Sequence, residues 1–134
     1  MEERLKIPGS IYLGLTALAV LLHFWLNPFY PDSWAVGTIW EVLAPFMAVG
    51  AVALLTHAWV HKRRLTPDAT SMTQFWVHAT FYAAVVLAVL FFWNWFDNLA
   101  TDGDQGQTHL NYWIVINTLY IVLAGTLSYH LWRE

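Results

Sequence analysis

Glu41 is the one carboxylate set inside an apolar run, where an acid can relay a proton or hold a cation. A charge at the centre of a membrane helix costs roughly 2.5–3.5 kcal/mol, so an acid there carries a functional hypothesis by default. Pro45 stands four residues on and has no N–H to give to the Glu41 carbonyl, a point at which helices kink. Glu41 is shallow, however, about one and a half turns into its run by helix pitch. At that depth the plainer reading is a carboxylate that reaches interfacial water and interacts favourably with a helix N-terminus. A functional Glu41 faces the bundle interior or a partner, with Asn94, Asp97, His109 and Asn111 as candidate neighbours. Asn94 and Asn117 are also polar within apolar runs, and hydrogen bonding between helices explains them, at about 0.6 kcal/mol each.

The six histidines are His23, His57, His61, His78, His109 and His130. His57 and His61 share one helical face, as two metal ligands would, but no third ligand follows from the sequence. Trp40, His57 and Trp59 recur at one constant offset as Trp113, His130 and Trp132. If that echo is structural, His57 and His130 sit at equal depth on related helices, and two imidazoles facing across a bundle can ligate haem b. Against haem, both lie near the membrane interface, and the small residues able to seat a porphyrin (Gly50, Ala51, Ala124, Gly125) lie higher up. Quinone binding through His57, His130 or His78 is the related redox alternative.

Asp97, Asp102, Asp104 and His109 offer hard oxygen donors and one imidazole, a set suited to a divalent cation. The spacing lacks the bidentate Glu that ends an EF-type calcium loop, and Asp and Gly also make hydrated turns for reasons of their own. The sequence has no Gly-rich phosphate loop, serine nucleophile elbow or His-Glu-x-x-His motif. With no Cys, disulfides, thiolate metal sites and a Cys nucleophile are excluded.

The elements that must position these residues are membrane helices. The 134 residues are 58% apolar and 11% charged, against roughly 25% charged in a soluble domain. Four apolar runs, at about 10–27, 36–60, 73–96 and 110–132, each meet the need for about 20 mainly apolar residues. Backbone polar groups in lipid must be satisfied internally, which makes runs of this length helices. The expected fold is an all-α integral membrane protein: one domain over 1–134 with four transmembrane helices. No room remains for a separate soluble domain, and the first run is too long and too bulky near its end to be a cleaved signal.

All six Lys and Arg residues fall on one side of this pattern: Arg4 and Lys6, then Lys62, Arg63 and Arg64, then Arg133. The opposite connections carry Asp32, Asp102 and Asp104, the longer of them over 98–108. By the positive-inside rule both termini are cytoplasmic and the chain is a multi-pass protein of the cell (inner or cytoplasmic) membrane. The basic residues are thereby explained by topology, which disfavours nucleic acid as a partner. The nine Trp residues lie near the span ends, as interfacial belts require. Leu18-Ala19-Val20-Leu21 recurs as Leu87-Ala88-Val89-Leu90, so with the tryptophan–histidine echo the chain reads as two repeated helical hairpins.

The functional expectation is an accessory subunit of a larger membrane complex, of the respiratory (electron-transport) or copper-monooxygenase type, with no catalytic site of its own. Its partners are other integral membrane subunits and structural lipid. Small-residue stretches at 44–53 and 83–88 are expected to pack against helices rather than lipid. The alternatives are a redox protein with haem b or quinone, and a small dimeric ion or solute transporter using Glu41.

Overall fold

The computed structural model describes residues 3–31, 33–102, 104 and 106–133, so Asp32 lies outside the described residues. Four long α-helices account for almost all of them: α1 (Glu3–Leu26), α2 (Val36–Arg63), α3 (Ser71–Ala100) and α4 (Gln107–Arg133). No strand occurs among the described residues. Each helix is long and apolar enough to cross a membrane.

Each helix runs past at least one of the ends expected for it, although α1 stops at Leu26 and α2 starts at Val36 as expected. Apolar composition marks only the part of a helix that lipid contacts, whereas i to i−4 hydrogen bonding continues through polar residues at the interface. At its start, α3 gains two residues because Thr70 caps it: the Thr70 Oγ1 accepts from the Thr73 amide at 3.2 Å. At its end it runs to Ala100, which puts Asn98, expected in the connection, in the last helical turn with Asp97. Past α1, Pro28 lies within a short 3₁₀ turn, Asn27–Phe29.

The helices form a four-membered ring in which α1 packs most extensively on α4, and α2 on α3. The α3–α4 contact is intermediate, and α1 meets α2 over a thinner seam. Small residues let α1 and α4 approach closely. Ser10 Oγ donates to the Ser128 carbonyl at 2.7 Å and Ser128 Oγ donates to the Ser10 carbonyl at 2.8 Å, a reciprocal clasp. A Cβ on Gly14 would lie 2.7 Å from Ser128 Oγ, so a larger side chain there would displace that hydroxyl from the clasp. On the thin seam the Tyr12 hydroxyl donates to the Phe46 carbonyl at 2.7 Å, one residue past Pro45.

Leu13, Ala17, Val20, Met47, Leu54, Leu87, Phe91, Ile116, Tyr120 and Ala124 form the main interior cluster. Tyr120 lies across the middle of the bundle, its hydroxyl 2.8 Å from Thr16 Oγ1 on α1 and its ring against Gly50 on α2. Ala44, Gly50, Ala51, Ala84 and Ala88 are buried within the chain's own bundle. Outward, mid-span residues such as Leu15, Val49 and Val89 are each more than 60% exposed. An apolar surface at the middle of every helix inverts the soluble pattern and is consistent with a multi-pass membrane protein.

Because α1 and α3 run opposite to α2 and α4, the described cations lie at one end of the bundle, and Asp102 and Asp104 at the other. We call these the basic and acidic ends. Cations at the basic end rest on aromatic rings: Lys62 Nζ is 4.1 Å from the Phe81 centroid, and Arg133 donates to the Tyr129 hydroxyl at 2.7 Å.

Candidate functional site

The thin α1–α2 seam leaves space between the helices at the acidic end. A cavity of about 390 Å³ opens there, with walls from all four helices. Phe24 and Asn27 come from α1 and the turn after it, Trp40, Glu41, Ala44 and Met47 from α2, Trp95 and Asn98 from α3, and Trp113, Ile114 and Asn117 from α4. Helical spacing explains the α2 contribution, since positions 40, 44 and 47 repeat every three or four residues on one face. Glu41 stands beside that face, exposed at the rim.

Asn117 is the most demanding group in the cavity wall. It is 2% exposed, and its Oδ1 has no hydrogen-bond partner. A buried carbonyl oxygen without a donor loses roughly 1–3 kcal/mol of solvation that nothing replaces. Three indoles (Trp40, Trp95, Trp113) line the same space, and Glu41 is the only charged residue among its described walls.

His23 supports this wall from behind. It is buried at 4% exposure, packs on Trp40 with ring centroids 4.4 Å apart, and stacks on Tyr30 at 5.5 Å. Its Nδ1 lies 3.4 Å from the Tyr30 hydroxyl, and its Nε2 has no partner. Sequence reading gave His23 no role. The available signal was its place in the series Ser10, Leu13, Ala17, Val20, His23, which is the buried face of α1. That face does not stand out in the sequence, because α1 is apolar on every side.

Beside the cavity, Asn94 and His109 bind each other across the α3–α4 contact. Asn94 Nδ2 donates to the His109 carbonyl at 2.9 Å, and His109 Nδ1 donates to Asn94 Oδ1 at 2.8 Å. Asp97 Oδ2 lies 3.5 Å from the same imidazole nitrogen, and Trp93 packs on the ring at 4.9 Å. Asn94 therefore makes the interhelical bonds expected of it, while Asn117 Oδ1 makes none.

The proposed metal set is divided. Asp97 and His109 meet, whereas Asp102 and Asp104 are exposed in the following turn. Among the described residues no three His, Asp or Glu side chains gather as a metal ion needs. Nor do the neighbours expected of Glu41 line its cavity: the polar residues that share it are Asn27, Asn98 and Asn117. No hydrogen bond or ion pair reaches Glu41 from the described residues.

At the basic end, His57 stacks on His61 at 6.1 Å, and His130 is exposed beside Tyr129 of its own helix. Gly50, Ala51 and Ala124 are buried against the chain's own helices, with the Tyr120 ring lying on Gly50. His78 donates from Nδ1 to the Gln74 carbonyl at 2.8 Å and lines a shallow groove on α3.

Fold and site together define a four-helix apolar bundle, consistent with a multi-pass membrane protein, with a cavity at its acidic end. No family model, curated protein or solved structure matches the chain.

Proposed function

We propose that this protein is a small accessory subunit of a larger complex in the cytoplasmic membrane, of the respiratory or copper-monooxygenase type, and has no catalytic site of its own. Both termini and the Lys62–Arg64 segment face the cytoplasm, following the separation of charge between the two ends. Its four spans are two repeated hairpins. The placement of Trp40 and its echo Trp113, both half-buried, in the walls of one cavity supports that relation.

The observation that carries the subunit reading is the environment of Glu41. This carboxylate is exposed on the bundle surface, within an apolar helix, and none of the described residues bonds to it. Intramembrane acids pair with one another, with cations or with water-filled cavities. A neighbouring subunit that covers the α1–α2 seam would supply the missing donor and enclose the cavity.

Purification from the native membrane in a mild detergent tests this. Larger polypeptides that co-purify in fixed ratio support the subunit reading. A lone chain or homodimer overturns it, and a Soret band with bound iron replaces it with the haem alternative.

A further inference from the structure

We propose that the acidic-end cavity binds the ammonium group of an organic cation that has an apolar body. Two features of the wall select that chemistry. First, the one charged residue among its described walls is the Glu41 carboxylate, and no described Lys or Arg lines it to receive an anion. Second, Trp40, Trp95 and Trp113 surround the space, and indole faces attract organic cations. An anion or a neutral apolar molecule fails the first.

Size agrees with this class. The space of about 390 Å³ lies at the small end of ligand cavities, which span roughly 300–1,000 Å³. That is room for an ammonium with a phenyl-sized body. The ligand is either a free amine or the ethanolamine headgroup of a lipid, since the cavity lies at the end of the spans where headgroups gather. The inference does not depend on the subunit reading. A chain that purifies alone and binds amine would remove that reading and leave this one intact.

The test uses the full chain, stripped of lipid in a neutral maltoside detergent, and calorimetric titration with phenethylammonium chloride. The expected result is saturable binding of phenethylammonium and of its N,N,N-trimethyl analogue, with none for phenylacetate. Glu41→Gln, on the exposed rim, should weaken phenethylammonium about tenfold, which corresponds to about 1.4 kcal/mol. Repeating the titration in nanodiscs identifies the source. Weaker binding when phosphatidylethanolamine is added to phosphatidylglycerol shows that the headgroup competes for the site, and unchanged binding points to a free amine. Absence of saturable binding in detergent overturns the proposal, as does equal binding by Glu41→Gln or by phenylacetate.

Discussion

Asn94 and Asn117 are both carboxamides buried between helices, and the difference in their surroundings makes opposite predictions for one substitution. Asn94 donates to and accepts from His109. At about 0.6 kcal/mol per interhelical bond, Asn94→Leu should lower stability by roughly 1 kcal/mol, and more where the His109 donor stays buried without an acceptor. Asn117 offers an Oδ1 that none of the described residues uses. Leucine of similar volume removes that unsolvated atom, so Asn117→Leu should leave the ligand-free protein equally or more stable. Thermal unfolding of both variants in one detergent measures the contrast. A loss for Asn117→Leu as large as for Asn94→Leu would mean that Asn117 holds the helices together after all. The sequence singles out both residues as polar groups within apolar runs. It does not separate them, because the difference lies in which residue of another helix stands opposite.

Helix α2 meets α4 through a glycine, and that contact can be tested against a second glycine nearby. A Cβ on Gly50 would collide with the Tyr120 hydroxyl and come within 2.9 Å of two of its ring carbons, whereas a Cβ on Gly125 meets nothing within 4 Å. Gly50→Ala should therefore cost about 1–3 kcal/mol through overpacking. Gly125→Ala should cost nothing and gain slightly in helix propensity. Equal thermal stability of the two variants would show that Tyr120 can leave its place without penalty. The same contrast shows what the sequence reveals about elements. Four helices are legible because each must present an apolar surface of membrane length. Their ends are not, because polar interfacial residues continue a helix without marking it, as with Asp97. Pairing is not legible either: Gly50 and Gly125 are alike in sequence, and only the crossing of Tyr120 distinguishes them. For that reason the candidate site is legible in pieces. Glu41 and Asn117 stand out singly, while the wall formed by Trp40, Trp95, Trp113 and the supporting His23 requires knowledge of which faces meet.

For the whole molecule the strongest asymmetry is between its ends, and it implies an orientation that can be measured. Lys62, Arg63, Arg64 and Arg133 gather at one end, with Asp102 and Asp104 at the other. Cytoplasmic loops hold Lys and Arg because translocating these cations is unfavourable, and that bias is strongest in short loops such as these. The loop before α3 is held by its own contacts, with Gln74 donating to the Ala69 carbonyl at 3.0 Å and Thr70 capping the helix. The chain contains no native Cys, so a single introduced thiol gives a clean signal. A Cys at Asp102, exposed in the acidic-end turn, should react with a membrane-impermeant thiol reagent added to intact cells. A Cys at Ser71, exposed at the start of α3, should react only after the membrane is permeabilised. The reverse pattern would invert the molecule, place the Glu41 cavity on the cytoplasmic side and require its amine from within the cell. Labelling of both sites in intact cells would mean that the four helices do not cross the membrane as a bundle.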